Sequence, residues 1–410
     1  MRSHIVEELN RFKQVHGKPY KLAVVNWGGT LTCVSNEKGL LEPVQKESEL
    51  ESILFGTLGF ERLVDSGILD VKIIYHGPLD SSQMLDPDRE PALKVLEQEY
   101  LCFDGFLGIH GTDTAAKTGR FLHLNLPHYD PEQRWTHDKS VHNWTKPFPI
   151  VSSQDPASEF VNGKLVPLVG SDAGSSIVTA MSILVDSRFG EVGCLVNREL
   201  VYRATAYDKG SESHYIIFDG DRGIPPLAER TAFGITFTGP AFDERPRIQD
   251  RTPFVIHGSA QYEGKVLTVS ELSHLESCKT YLRAVEEDRS ADEISRLRAT
   301  LPRVILYVSK GAGNVQEREY EVLKQLEKLE GEATHVARVP LRGGRVPREM
   351  HYAVPGGDLP GYNIEHLAAR YKAQSVLALM DQLKIEQPQQ KEFFRKMMES
   401  TFAREFLPYT

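Results

Sequence analysis

Residues 103–114 read FDGFLGIHGTDT, and this stretch decides the fold because an apolar run passes directly into a polar string. Short apolar runs without polar alternation are typical of strands buried on both faces of a parallel sheet. The earlier stretch KLAVVNWGGTLT, residues 21–32, has the same order, with an apolar run from Leu22 to Val25 followed by Gly28 and Gly29. The two stretches predict parallel strands whose loops carry hydroxyl and carboxyl groups.

Helical stretches alternate with apolar strands through most of the chain. Helical spacing covers about 47–65 and 90–100, on either side of the predicted strand at 71–76. This alternation predicts an α/β fold with a mostly parallel sheet covered by helices. A charged, proline-rich stretch near 239–253 marks a linker, after which the alternation resumes. We expect a larger N-terminal α/β domain, a linker and a smaller C-terminal α/β domain, over residues 1–240, 241–262 and 263–410.

Charge and composition narrow the expected partners. The formal net charge is −9, whereas nucleic acid and anionic membranes both favour a basic face. No apolar run approaches the roughly 20 residues that a membrane-spanning helix needs, and the polar N-terminus does not resemble a signal peptide. The four cysteines lie far apart without a CxxC pair, which predicts reduced thiols. We expect a cytoplasmic protein that binds neither nucleic acid nor membrane and needs no cofactor.

Polar strings follow four of the predicted strands. In open parallel sheets, ligands bind beyond the carboxyl ends of the strands. Taken alone, each string is typical of a turn or a helix cap. Because all four follow strands directly, they predict a single crevice formed by WGGTLT at 27–32, DSSQM at 80–84, GTDT at 111–114 and SSQDP at 152–156.

The order of these strings resembles the signature of the asparaginase/glutaminase family, most nearly its cytoplasmic (type I) branch. GGT follows the first strand, DSSQM comes next, and HGTDT stands in a DGF context. The resemblance runs collinearly over roughly residues 20–410, apart from an insertion at about 124–149. Further similar segments are SQDP at 153–156, SDA at 171–173, the spacing from Tyr202 to Phe218, GAGN at 311–314 and FAREFLP at 402–408.

The resemblance implies an amidohydrolase that cleaves the side-chain amide of asparagine, and in some members of glutamine. A threonine hydroxyl attacks the amide carbon, and backbone N–H groups stabilise the oxyanion. The matching nucleophile here is Thr112, and Lys209 matches the lysine that removes its proton. Asp113 matches the aspartate that holds the substrate ammonium and orients the lysine.

The resemblance also implies substrate-binding positions around this set. Ser81 and Ser82 match the residues that bind the substrate α-carboxylate. Gln154 lies in the segment similar to the family's GSQxP element. Asn314 matches an asparagine that a neighbouring subunit contributes, which implies a homodimer or homotetramer.

Two positions depart from the family pattern. The first threonine of the family's TGGT motif corresponds to Trp27, and its catalytic tyrosine corresponds to Leu40, thirteen residues later. Gly28, Gly29, Thr30 and Gly39 keep the register with the family pattern between these two positions. An indole cannot attack a carbonyl, and a leucine cannot relay a proton. We therefore expect an altered active site in which the larger Trp27 side chain contacts the substrate.

Three accounts of this altered site stay open. In the first, Thr112, Asp113 and Lys209 are the catalytic set, with the help of Thr30 or Thr32. Their substrate differs in shape because Trp27 changes the pocket. In the second, the chain is catalytically inactive and binds a small amino acid or amide as a sensor or partner protein. In the third, the site catalyses a different reaction. The retained lysine favours the first account, because a binding protein has little need of a buried lysine.

The insertion carries Trp135, His137, His142 and Trp144 close together. The two histidines alone do not make a recognisable metal site. Tryptophan and histidine favour interfaces with one hydrated edge. We predict a lid or a subunit contact there, and no metal.

Overall fold

A computed structural model of the protein describes most of the chain, in two compact units. The described residues up to Val255 form the larger unit, and those from Ile256 onward form the smaller one. The residues described are 3–35, 40–77, 80–129, 141–143, 146–162, 164–190, 192–211, 214–220, 225–238, 255–309, 315–330, 333–340, 364 and 366–399.

The larger unit contains the strands β1 (Tyr20–Asn26), β2 (Cys33–Ser35), β3 (Leu41–Pro43), β4 (Leu69–His76), β5 (Gly105–Ile109), β6 (Pro127–Tyr129), β7 (Val141–Asn143), β8 (Phe148–Val151), β9 (Ser158–Val161), β10 (Lys164–Pro167), β11 (Val192–Asn197), β12 (Leu200–Tyr202), β13 (Tyr207–Lys209), β14 (Phe218–Gly220), β15 (Ala228–Thr231) and β16 (Gly234–Phe237). Eight of them form one sheet in the order β4-β1-β5-β8-β11-β12-β15-β16. The first five are parallel, and β12, β15 and β16 continue the sheet with antiparallel pairings. The carboxyl ends of the five parallel strands therefore meet at one edge.

Helices in this unit follow the predicted alternation, with one exception. They are α1 (Ser3–His16), α2 (Glu47–Glu51), α3 (Glu61–Asp65), α4 (Glu90–Glu99), α5 (Ala115–Asn125) and α6 (Ala173–Val185). The single helix predicted over 47–65 is interrupted by a π-helical turn, Ser52–Thr57, and by Gly59 at φ 78°. That left-handed conformation is one that glycine adopts easily and that an α-helix does not contain.

Short antiparallel pairs of strands form separate two-stranded sheets, and the sequence did not predict them. They are β2 with β3, β6 with β7, β9 with β10, and β13 with β14. The pair β6–β7 lies within the predicted insertion, which therefore contains regular structure. Strands of three or four residues are too short to give a clear periodic signal. Trp135, His137 and Trp144 lie outside the described residues, so the lid or contact role stays a prediction.

The smaller unit has a three-stranded parallel sheet and its own core. The strands β17 (Val266–Val269), β18 (Val304–Ser309) and β19 (His335–Pro340) lie in that order. Ile305, Leu323 and Leu326 belong to the apolar core. No helix in the described ranges is long and apolar enough to cross a membrane. The helices are α7 (Glu276–Glu286), α8 (Ala291–Ala299), α9 (Glu317–Glu330), α10 (His366–Gln382) and α11 (Gln387–Glu399).

Candidate active site

Three of the polar strings meet at the carboxyl edge of the large sheet. A Cβ atom on Gly29 would lie 2.2 Å from the Cα of Gly111, so only glycine permits this approach of the loops after β1 and β5. A Cβ atom on Gly111 would lie 1.9 Å from the Oγ of Ser81, after β4. The Thr114 hydroxyl donates to the Ser81 carbonyl at 2.7 Å. The fourth string joins them through the residue that follows it, Ala157, whose backbone N–H donates to the Leu31 carbonyl at 3.0 Å.

Asp113 and Lys209 form an ion pair at this edge. The Nζ of Lys209 lies 2.5 Å from the Oδ1 of Asp113. The lysine side chain is 12% exposed, whereas the aspartate side chain is 47% exposed. Lys209 ends β13, where it pairs with Phe218 of β14. Two residues that are 96 positions apart in sequence are thus brought together at one point.

A buried arginine of α5 holds the strand that carries this lysine. Arg120 donates from Nη2 to the carbonyl of Tyr207 at 2.8 Å, and its Nη1 lies 3.4 Å from the Oδ2 of Asp208. The same aspartate accepts the backbone N–H of Lys209 on Oδ1 at 2.9 Å. Arg120 therefore fixes β13 directly ahead of Lys209.

The two candidate hydroxyl groups differ in burial. Thr112 is 7% exposed and lies in the turn between β5 and α5. Thr30 is half-buried and begins a short 3₁₀ turn, Thr30–Thr32. Both threonines belong to loops joined by the Gly29–Gly111 contact.

The thiol of Cys33 lies near the same loop, and its Sγ donates to the Gly29 carbonyl at 3.3 Å. Burial, with a smaller effect of the Asp80 charge, raises the pKa of this thiol to about 11. The thiol is therefore protonated at neutral pH and is a poor nucleophile.

Trp27 lies in the core beneath the loop that follows β1. Its side chain has no exposed surface, and its backbone N–H donates to the Ile109 carbonyl at 2.8 Å. The ring stacks on Phe148 with centroids 6.4 Å apart, and it also lies 6.1 Å from Tyr75 and 5.7 Å from His110. Contact with a substrate would therefore require a rearrangement around the indole, and the substrate-binding role of Trp27 stays a prediction.

Leu40 is in a very different environment. It precedes β3 and is 62% exposed. Residues 36–39, which include the glycine that extends the register toward Leu40, lie outside the described residues. The two departures from the family pattern thus occupy opposite extremes of burial.

The predicted substrate-binding residues lie on two anchored loops. Ser81 is buried, and Ser82 is exposed and donates from its hydroxyl to Asp80 at 2.7 Å. The backbone N–H of Gln154 donates to both carboxylate oxygens of Asp172, at 3.1 and 3.0 Å. Burial raises the pKa of this aspartate, although these amide donors oppose the shift. Asn314 lies outside the described residues.

A buried polar chain beneath Thr112 was missed by the sequence reasoning. His110 contacts the Gly111 carbonyl through Nδ1 at 2.8 Å and the Thr118 hydroxyl through Nε2 at 2.7 Å. Arg89 donates from Nε to Thr118 at 2.8 Å and from Nη1 to Asp86 at 2.7 Å. The histidine of the HGTDT string was the available signal, whereas the sequence DPDREP around the arginine is typical of a surface turn.

No group of three or more metal-ligating side chains is placed to hold a metal ion among the residues that the structure describes. The chemistry available at this edge is that of hydroxyl, carboxylate and ammonium groups.

Comparison with known proteins agrees with the resemblance predicted from the motifs. Residues 21–131 match the family model for the asparaginase N-terminal domain. The chain is 25% identical over 202 residues to L-asparaginase 1 of Escherichia coli K12, and equally to that of strain O157:H7. This alignment covers 49% of the chain and 51% of the relative, so the chain spans about half the length of the curated relatives it matches. The family resemblance is confirmed for this part.

Solved structures extend the likeness to the fold of nearly the whole chain. The thermostable L-asparaginase of Thermococcus kodakarensis aligns with a TM-score of 0.65 at 19% identity, covering 94% of this chain and 99% of that one. L-asparaginase I of Vibrio cholerae aligns with a TM-score of 0.65 at 18% identity, covering 95% and 99%. A probable cytoplasmic L-asparaginase of Campylobacter jejuni gives 0.57 at 16% identity, covering 92% and 99%. The predicted α/β, two-domain fold is confirmed.

Proposed function

We propose that this asparaginase-like chain is an amidohydrolase that cleaves the side-chain amide of asparagine or a related small amide, with Thr112 as the nucleophile. The observation that carries the proposal is the Lys209–Asp113 pair at 2.5 Å, which holds a largely buried lysine at the turn that carries Thr112. In this role Lys209 removes the proton of the threonine hydroxyl, and Thr30 assists from the neighbouring loop.

The ion pair also suggests how substrate binding prepares the lysine. A lysine paired with a carboxylate is stabilised in its charged form and cannot accept a proton. A substrate whose α-ammonium group binds Asp113 competes for that carboxylate and brings a second positive charge near Lys209. Both effects make it easier for the lysine to lose its proton. The proposal therefore favours substrates that carry a free amino group, with Ser81, Ser82 and Gln154 binding the rest of the amino acid.

A second candidate function is a catalytically inactive homologue that binds a small amino acid or amide as a sensor or partner protein. The buried Trp27 and the exposed Leu40 favour this reading, because they replace one catalytic threonine and the tyrosine of the family. In this reading the Lys209–Asp113 pair is a binding element only.

Ammonia release from a panel of amides separates the two functions. The panel contains asparagine, glutamine, their D-forms and small peptides with terminal asparagine. We expect turnover of at least one, reduced at least 100-fold by Thr112→Val and by Lys209→Met. The control is Lys328→Met, because Lys328 is an exposed lysine of α9 in the smaller unit.

The opposite outcome is equally clear. Binding of an amino acid detected by thermal shift, without ammonia release from any amide, supports the inactive homologue and excludes the hydrolase. Sedimentation would test the proposed homodimer or homotetramer, in which Asn314 of one subunit completes the site of another. The cytoplasmic location stays a prediction.

A further inference from the structure

His110 is fully buried, and both of its ring nitrogens have partners. Nδ1 lies 2.8 Å from the carbonyl oxygen of Gly111, and Nε2 lies 2.7 Å from the Oγ1 of Thr118. A carbonyl oxygen can only accept a hydrogen bond, so Nδ1 must carry a proton. Burial lowers the pKa of His110 to about 3, against a smaller opposing effect of its hydrogen bond to Gly111. The ring is therefore neutral at pH 7, and its Nε2 accepts.

The donor to Nε2 is the Thr118 hydroxyl, whose direction is set by its other neighbours. Arg89 donates from Nε to the Thr118 oxygen at 2.8 Å, so this oxygen already acts as an acceptor. The single hydroxyl hydrogen can go to His110 or to the Sδ of Met84 at 3.7 Å. A thioether is the weaker acceptor, so the hydrogen bonds to the imidazole.

Arg89 is itself held in place within the unit. Its Nη1 lies 2.7 Å from the Oδ1 of Asp86, and both side chains are buried. Removal of one partner from a buried ion pair leaves an uncompensated charge, so neither side chain is free to turn away. The order Asp86, Arg89, Thr118, His110 and the Gly111 carbonyl is thus a chain in which the donor and the acceptor of each contact are assigned.

We infer that His110 is a positioning residue, locked as the Nδ1–H tautomer by Asp86, Arg89 and Thr118, and that it fixes the Gly111 carbonyl and the turn from which Thr112 and Asp113 project. This inference rests on the proposed function for its catalytic consequence. The turn tolerates little displacement, because Gly111 approaches Gly29 and Ser81 more closely than any side chain would allow. A displacement of 1 Å at a reacting group can reduce a rate by about 100-fold.

The test removes the hydroxyl of Thr118 and leaves His110 unchanged. Thr118→Val deletes the donor to Nε2, and Thr118→Ser restores it. Thr179→Val is the matched control, because Thr179 of α6 is also buried and also accepts from an arginine Nε, that of Arg230, at 2.7 Å. The readouts are the ¹⁵N shifts of the His110 ring, hydrogen exchange of the Gly111 and Thr112 amides, and kcat and KM for the best amide.

We expect the Nδ1–H tautomer in every variant, because the Gly111 carbonyl still accepts from Nδ1. In Thr118→Val the ¹⁵N shift of Nε2 should move to that of a nitrogen that accepts no hydrogen bond, with faster amide exchange, and Thr118→Ser should restore both wild-type values. The kcat of Thr118→Val should fall about 10- to 100-fold with KM changed less than about threefold, while Thr179→Val keeps the wild-type tautomer and kcat. An Nε2–H tautomer in the wild type overturns the inference without any variant. The inference is also overturned if Thr118→Val and Thr179→Val have the same His110 ring shifts, the same amide exchange rates and the same kcat. If no amide is hydrolysed by the wild type, the proposed function fails, and the ring tautomer and amide exchange still decide the positioning.

Discussion

Trp27 is part of the core, although the family resemblance aligns it with a catalytic threonine. The indole stacks on Phe148 and lies over Gly108, where a Cβ atom would come within 3.3 Å of its ring. The absence of a side chain at Gly108 therefore makes room for the ring. Volume that the family pattern assigns to a threonine hydroxyl is here filled by packed aromatic groups, which contribute stability through burial.

Replacing Trp27 should accordingly damage the fold. Trp27→Thr leaves a cavity beneath the loop after β1, and we expect the free energy of unfolding to fall by about 3–5 kcal/mol. Leu40→Tyr, at an exposed position, should change it by no more than about 0.5 kcal/mol. Urea denaturation of both variants checks this pair of values. Equal effects of the two substitutions would show that the indole is not packed as described.

His110 also gives the fold a defined response to acid. Burial lowers its pKa to about 3 in the folded protein, whereas a histidine in an unfolded chain has its ordinary pKa of about 6.5. Between these values the unfolded chain binds a proton that the folded chain does not, so stability rises with pH and is lost as the pH falls from about 6.5 toward 3. The slope for one such group approaches about 1.4 kcal/mol per pH unit.

His110→Gln should therefore reduce the slope of unfolding free energy against pH for the larger unit. Between pH 6 and 4 we expect a reduction of about 1 kcal/mol per pH unit. Denaturant titrations at pH 7, 6, 5 and 4 measure it, with exposed His16→Gln as the control. An unchanged slope in His110→Gln would contradict the buried, neutral ring.

At the scale of secondary structure, α5 acts as a support for β13. Arg120 of this helix binds the Tyr207 carbonyl and the Asp208 side chain, two residues and one residue ahead of Lys209. Arg120→Met keeps most of the buried volume and leaves both groups without this donor. We expect a loss of about 1–3 kcal/mol in unfolding free energy, as is usual for a buried group left unpaired.

The same variant should lower kcat through misplacement of Lys209, and Arg120→Lys should recover part of the loss because a single ammonium replaces one of the two contacts. Ammonia release and urea denaturation on the two variants provide the test. If kcat falls only as far as the lost unfolding free energy explains, and Arg120→Lys does not recover it, the helix does not position the strand.

The elements that the sequence predicted well are those with strong local signals. Apolar runs such as 105–109 and 304–309 are strands. The polar strings that follow β1, β4 and β5 of the large sheet meet at one edge. The antiparallel pairs escaped prediction because strands of three or four residues have too few positions to show clear alternation. The Asp86–Arg89–Thr118 chain escaped as well, since a buried ion pair on charged, proline-rich turns has no signature in a single sequence.

At the scale of the whole molecule, the chain has separate apolar cores in its two units. Units with their own cores need not unfold together. We expect two thermal transitions in calorimetry. Leu326→Ala, in the core of the smaller unit, should lower the unfolding free energy of that unit by about 2–5 kcal/mol and shift only its transition. Leu107→Ala should do the same for the larger unit. A single transition shifted equally by both variants would show that the units unfold as one.

Trp27 and Leu40 also differ in how strongly their surroundings constrain a substitution. Leu40→Tyr, at an exposed position, would meet little resistance from the structure. Trp27→Thr would require the surrounding rings of Tyr75 and Phe148 to repack, because each would lose its neighbour. Substitutions that share a contact do not act independently. A change at Trp27 is therefore coupled to the residues packed around the indole, and it becomes harder to accept as those residues adapt to the ring.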